Sequence, residues 1–336
     1  MPNAAMTYDD VYRHLYHQNT PTEVHYGQSE SVILRPARGF VDGFDLTMQT
    51  QVGYPAGCLF CYVPAGRMLT PAAMRGEMGE RWGFEVRRKI DAVGQFEAHL
   101  KRGDLAGKTI YWSGVTDPYA APAGETRAIW GETRAIWEQL NAAATHLRPR
   151  RIIVQTRFRP DRDALLMHRY ELSTLTLDEG PAVVISYSIG TDHDDLIRAW
   201  ERATPLFDQR MKAIETLREA GLWVVPTLSP FGLWNNLAGT LRRFQQMNIP
   251  YLTYLFFKRE THSANTPAPF IRFLEQNHPL LLDRQWQQSQ RRVLEAIYGE
   301  DRALFGKPAF ASLAAPHQVD KEYLSLGLLE TEHDLA

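Results

Sequence analysis

Cys58 and Cys61 are the only cysteines in this 336-residue chain, and they stand as C-x-x-C. Two thiols cannot staple a disulfide-rich secreted domain, so the pair points to redox or metal chemistry. A thioredoxin-like pair would open a helix near the start of a small βαβ domain. Here the pair follows a β-branched, strand-like run, Thr47-Met48-Gln49-Thr50-Gln51-Val52-Gly53. Two small buried thiols without a chemical task are the plainer alternative, and the neighbouring residues have to decide.

The elements around them read as an α/β chain. Short, apolar, non-alternating runs suit strands buried on both faces of a parallel sheet. The strand candidates are Asp45–Val52, Lys108–Ser113, Arg151–Gln155, Ala182–Ile189, Leu222–Thr227 and Tyr251–Phe257. Helix candidates lie at Phe84–Arg102, Glu125–Ala144, Arg162–Glu171, Leu206–Ala220 and Asn236–Met247. Six successive βα units predict a barrel or part of one, with a doubly wound sheet as the other architecture. Residues 1–40 read as an irregular lead-in, 41–260 as the barrel, and 261–336 as a helical extension whose clearest piece is Gln285–Tyr298.

In a parallel barrel, ligands sit at the carboxyl ends of the strands. Those ends carry Tyr54 to Tyr62, Ser113 to Tyr119, Thr156 to Pro160, Ser186-Tyr187-Ser188 and Thr227 to Pro230. Thiolates, hydroxyls, a carboxylate and a guanidinium therefore converge on one rim, as a polar-lined pocket requires.

Composition bounds the remainder. With 37 basic and 39 acidic residues, 44% hydrophobic and 23% charged, the chain has ordinary globular composition. The near-neutral balance argues against a protein that coats nucleic acid or acidic membrane. The stretch His146–Arg162 carries six arginines against Asp161 and makes a local phosphate contact conceivable, but a solvated loop with strand ends explains it better. No apolar run reaches the roughly 18 to 20 residues of a membrane helix. Met1 to Asp10 lacks the pattern of a secretory signal, so a cytoplasmic protein without a membrane partner is expected. Gly124-Glu125-Thr126-Arg127-Ala128-Ile129-Trp130 recurs unchanged as Gly131 to Trp137. Seven residues shift a helical stripe by only about 20°, so a helix accepts the duplication; a local duplication without function is the plain explanation.

Several of these segments together resemble the spore photoproduct lyase-like branch of the radical S-adenosylmethionine (SAM) superfamily. They are Gly53 to Tyr62, Thr116-Asp117-Pro118-Tyr119, Arg162-Asp163, Ser186-Tyr187-Ser188 and Glu201-Arg202 with Arg210 and Leu217, over roughly residues 35–260. The resemblance implies a partial TIM barrel of the (β/α)6 type. It also implies a [4Fe–4S] cluster held by C-x3-C-x2-C, with SAM on its fourth iron. An electron donor would drive cleavage of SAM to a 5′-deoxyadenosyl radical, which takes hydrogen from a substrate the sequence does not identify. Cys58 and Cys61 match the last two ligands, but the first falls on Tyr54. Soft sulfur suits iron–sulfide units, whereas a phenol is a harder donor; Tyr54 can still bind iron, so with Cys58 and Cys61 it is a candidate metal ligand of a weakened cluster in which radical chemistry survives. The alternative implied is a barrel of the same fold that has lost its cluster. His14, His17 and His25 are other conceivable donors, unsupported by their spacing.

Carried over by position, Phe60 would pack near adenine with Tyr62 adjacent. Ser113 and Gly114 would receive the SAM amino group. Asp117 would accept from that group or orient its loop. Arg157, with Arg159 as competitor, would take the SAM carboxylate. Ser186 and Ser188, on one side of a strand, would bond ribose or carboxylate. Members of the branch use a separate cysteine to return hydrogen, and none exists here outside the cluster loop. That argues against authentic photoproduct repair.

Overall fold

The computed structural model describes residues 6–16, 24–38, 41–65, 82–120, 126–174, 180–258 and 266–314. Its strands in chain order are β1 (His25–Ser29), β2 (Leu34–Pro36), β3 (Leu46–Met48), β4 (Gln51–Gly53), β5 (Glu85–Lys89), β6 (Thr109–Trp112), β7 (Arg151–Thr156), β8 (Val183–Ser188), β9 (Trp223–Leu228), β10 (Leu252–Tyr254) and β11 (Ala303–Phe305).

One eight-stranded sheet runs in the order β11-β10-β9-β8-β7-β6-β3-β2. All neighbours from β3 to β11 are parallel, and β2 adds to β3 antiparallel. Helices Thr126–Ala142, Ala164–Thr174, Phe207–Glu219 and Leu237–Gln246 follow β6, β7, β8 and β9. Six of the parallel strands, β3 and β6 to β10, make the expected (β/α)6 partial barrel. Its edges, β2 and β11, pair with different neighbours, so the barrel is open.

The two faces of this sheet have different cores. Ile110, Trp112, Ile152, Val154, Ile185 and Val224 pack outward under the helices. Tyr111, Ile153, Val184, Val225, Tyr251 and Leu304 point inward, where Ala309, Phe310 and Leu313 close the interior. Arg151 donates to the Ala314 carbonyl and ties this closing segment to β7. Above the apolar floor comes a polar layer. Gln155 Nε2 donates to Ser188 Oγ at 2.8 Å, and Gln155 Oε1 accepts from Ser186 Oγ and Tyr111 Oη at 2.8 and 2.7 Å. Thr227 Oγ1 meets Ser186 Oγ at 2.7 Å and Thr253 Oγ1 at 3.0 Å.

Several sequence expectations change. Asp45–Val52 is not one strand: it leaves the barrel after Met48, and β4 joins a second sheet of order β1-β5-β4. Period-2 patterning shows a strand but not the sheet it enters. The front of Phe84–Arg102 is β5, not helix, and the helix itself is Ala92–Lys101. Asp91 caps it by accepting from Gly94 N at 3.1 Å, a start signal inside the span read as continuous helix. The lead-in is not irregular either: Tyr8–Tyr16 is a helix and β1 pairs in parallel with β5. The helix Thr126–Ala142 carries most of the repeat, while Gly124 and Glu125 lie outside the described residues, as does His17. Among the described residues, no helix is long and apolar enough to cross a membrane.

Candidate functional site

The loop from Tyr54 to Tyr62 is held over the mouth of the barrel from several sides. Tyr54 N donates to Glu85 O at 3.1 Å, and Leu59 N to Trp200 O at 3.0 Å. Tyr12 Oη donates to Gly57 O at 2.9 Å, so the first helix also clamps the loop. Gly57 has φ +54, and a Cβ there would stand 2.8 Å from Phe84 Cζ. Only glycine satisfies both the left-handed backbone and the close approach.

The two thiols emerge side by side, with Cys61 N donating to Cys58 O at 3.0 Å. Cys58 Sγ donates to Tyr54 Oη at 3.7 Å, and Trp82 Nε1 donates to Cys61 Sγ at 3.2 Å. Burial pushes the Cys58 thiol up to about 12, against the partial opposition of the Arg157 cation. Burial raises Cys61 as well, and raises the Tyr54 phenol well above its ordinary value. All three groups are therefore protonated at neutral pH in the structure as it stands.

The rim facing them is a charged network. Arg157 Nη1 lies 3.1 Å from Glu201 Oε2, and Arg210 Nη2 donates to the same oxygen at 2.6 Å. Thr204 Oγ1 reaches Glu201 Oε2 at 3.2 Å. Burial alone would raise Glu201, but Arg210 and Arg157 hold its carboxyl below the usual range. The Arg157 guanidinium carbon also stands 5.2 Å from the centroid of Phe60, a cation–π contact. Phe60 packs on Phe257 and Phe270. Arg159, in contrast, turns to Asp161 with contacts of 2.8 and 2.6 Å. Of the two arginines, Arg157 is the one beside the thiols.

Asp117 is fully engaged. Oδ1 accepts from Tyr119 N at 2.9 Å and Thr156 Oγ1 at 2.8 Å, and Oδ2 accepts from Arg157 N at 2.9 Å. Burial nevertheless pushes this carboxyl up to about 6. These bonds join the loop after β6 to the loop after β7, so Asp117 orients its loop. Ser113 closes β6 with φ +82, a strained position for a residue with a Cβ, and its hydroxyl donates to Thr116 O. Tyr62 Oη donates to Gly114 O at 2.6 Å. Ser186 and Ser188 lie deeper, in the polar layer around Gln155. The structure thus gathers Tyr54, Cys58, Cys61, Phe60, Tyr62, Ser113, Gly114, Asp117 and Arg157 at the mouth, with the two serines below it.

Sequence reasoning assigned no role to Glu201, although it stood in the segment Glu201-Arg202; a lone glutamate gives no signal of which cations will bury it. Gln155 and Trp82 were equally silent. Part of the arginine-rich stretch turns inward: Arg148 binds the Ala143 and Asn141 carbonyls and Arg151 binds Pro181 O, while Arg150 and Arg162 are exposed, Arg162 over the Trp130 ring.

The donor set does not fit a cluster held by three thiolates. Two sulfurs and a protonated phenol face the site, and the sequence holds no third thiol. Among the described residues, no group of three His, Cys, Asp or Glu side chains is placed to hold a metal ion. His14 and His25 are exposed.

No protein-family model and no curated protein matches this sequence. Among solved structures, a point mutant of spore photoproduct lyase superposes with a TM-score of 0.52 at 13% identity, covering 89% of this chain and 85% of that one. Spore photoproduct lyase complexed with dinucleoside spore photoproduct gives 0.51 at 12% identity, over 89% and 86%. At such identity the likeness establishes the fold: this chain has the partial barrel of that lyase, as its sequence segments implied.

Proposed function

We propose that this chain is a radical SAM-fold protein whose barrel mouth binds S-adenosylmethionine and whose cluster loop no longer holds a three-thiolate [4Fe–4S] cluster. The observation that carries the reading is the Tyr54 hydroxyl standing 3.7 Å from Cys58 Sγ, at the position the sequence motif reserves for the first cysteine. Burial favours the neutral phenol and thiols, so the loop carries no buried charge there for a metal to neutralise.

The mouth retains groups complementary to a zwitterionic amino-acid nucleoside. Arg157 would hold the carboxylate, exchanging part of its contact with Glu201. Ser113 and Gly114 would offer backbone to the amino group, and Phe60 an apolar face to the adenine. Asp117 fixes the loop on which Ser113 and Gly114 lie. Spore photoproduct lyase has been solved in complex with dinucleoside spore photoproduct, and a nucleoside-bearing ligand is in keeping with a polar mouth of this kind. A hydrogen-abstracting enzyme, fed by an electron donor, is the reading that a complete ligand set would support. One residue separates this chain from that set, and the substrate of such an enzyme is not named by these residues.

The test is calorimetric titration of metal-free protein with SAM. Saturable binding that Arg157→Ala weakens at least tenfold is expected. No binding to the metal-free wild type, or unchanged affinity in Arg157→Ala, would overturn the assignment.

A further inference from the structure

Given the SAM site proposed above, on which this assignment rests, we infer that the side-chain oxygen of Gln51 accepts the α-ammonium group of the ligand. Gln51 opens β4, the strand that leaves the barrel for the second sheet, and it is fully buried. Its Nε2 donates to Thr116 Oγ1 at 2.8 Å and to Asp117 O at 2.9 Å. A backbone carbonyl only accepts, so the amide has to turn its nitrogen toward the loop after β6. Both of its N–H donors are then engaged. Oε1 shares its carbon with that nitrogen and therefore lies beside the same loop. It has no hydrogen-bond partner among the described residues.

A buried acceptor without a donor is costly, so the position favours a ligand that brings N–H groups to it. Other acceptors of the loop are already in use. Gly114 O accepts from Tyr62 Oη at 2.6 Å, and Thr116 O accepts from Ser113 Oγ. The Asp117 carboxylate takes three donors, from Tyr119 N, Thr156 Oγ1 and Arg157 N. Trp112, the residue before Ser113, packs on Trp137 with its own indole nitrogen unpartnered, so it does not supply the donor. An ammonium group brings three donors and a full charge, which strengthens its bond to a fixed oxygen. A neutral amide accepts it without adding another buried carboxylate to the mouth. Gln51 and Arg157 are both bonded to Asp117, one at its carbonyl and one at its carboxylate. The acceptor and the guanidinium are thus carried to one residue, as the α-ammonium and α-carboxylate of the ligand share one carbon.

The experiment is calorimetric titration of metal-free protein with SAM and with its deamino analogue, the same sulfonium nucleoside with hydrogen in place of the α-ammonium. Wild type should bind SAM more tightly than the analogue by about tenfold or more, as befits a hydrogen bond to a charged group. Gln51→Met keeps the length of the side chain and removes the acceptor, so it should bind the two ligands within about twofold of each other. Thr116→Val removes one partner of Nε2, leaves Oε1 in place, and should keep the wild-type preference. A merely structural role for Gln51 would weaken both ligands equally in Gln51→Met and leave the preference intact, which would overturn the assignment. Loss of the preference in Thr116→Val as well would trace it to the loop and overturn the role of Oε1. Equal affinities in wild type would overturn the assignment while the SAM site stands. Failure of wild type to bind either ligand would remove the SAM site and this assignment together. Should Gln51→Met fail to fold, wild type isotope-labelled at glutamine Cδ decides by NMR. One glutamine signal should move with SAM and not with the analogue, and identical spectra for the two complexes would overturn the assignment.

Discussion

The Tyr54 hydroxyl and the Cys58 thiol lie 3.7 Å apart inside a buried loop, and in the proposed register that phenol stands where a third sulfur would complete a cluster ligand set. Around this pair the chain keeps a well-connected mouth, with Glu201 between two guanidinium groups and Asp117 bridging two loops. The proposed site is thus altered at one donor position, with the contacts around it intact.

Glu201 binds Arg157 at 3.1 Å and Arg210 at 2.6 Å, all largely buried. Glu201→Gln leaves two buried cations without their anion and should cost about 3 to 5 kcal/mol in denaturant unfolding. The native carboxyl titrates below its ordinary value near 4.5. Its contribution to stability is therefore complete above about pH 4.5 and disappears as pH falls through the lower folded value. Unfolding midpoints equal to wild type for Glu201→Gln would show that the triad holds nothing together.

Asp117 has the opposite sign. Its folded value is pushed up to about 6, from an ordinary 3.8, so the folded state binds the proton more tightly than the unfolded chain. Stability from this group falls as pH rises from about 4 to 6, by about 3 kcal/mol at most. Asp117→Asn should flatten that part of the stability–pH curve relative to wild type. Parallel curves for the two proteins across pH 4 to 6 would contradict the burial argument.

Cys58 should be chemically inert in the folded, metal-free protein. With its thiol pushed up to about 12, the thiolate fraction at pH 8 is roughly a thousandfold below that of an ordinary cysteine. Iodoacetamide followed by mass spectrometry should show slow labelling of Cys58 that becomes rapid on unfolding. Fast labelling of the native protein would mean that the loop opens.

Much of this was legible in the sequence, for specific reasons. The runs at Ile152-Ile153-Val154 and Val183-Val184-Ile185 are apolar on both faces, which only a covered parallel sheet requires, and they became β7 and β8. The meeting of Asp117 and Arg157 followed from the ends of β6 and β7 sharing one rim, whereas Cys58 reaches them on a loop that follows β4 of the second sheet. What was not legible depended on long-range pairing. The three residues of β4 carry no sign that they leave the barrel for β1 and β5. Ala303–Phe305 is too short to mark itself as a seventh parallel strand. Glu201 is an ordinary glutamate until the fold places it between Arg157 and Arg210. The repeat was visible at once, but the contacts of Thr133 with Pro118 and of Trp137 with Tyr119 exist only in the folded chain.

The most direct test of the central claim is iron and sulfide content after anaerobic reconstitution of wild type and Tyr54→Cys side by side. The account predicts that wild type retains well under one cluster per chain, and that Tyr54→Cys approaches the roughly four irons of a complete site with a broad brown absorption. Four irons bound by wild type, or no gain in Tyr54→Cys, would contradict it.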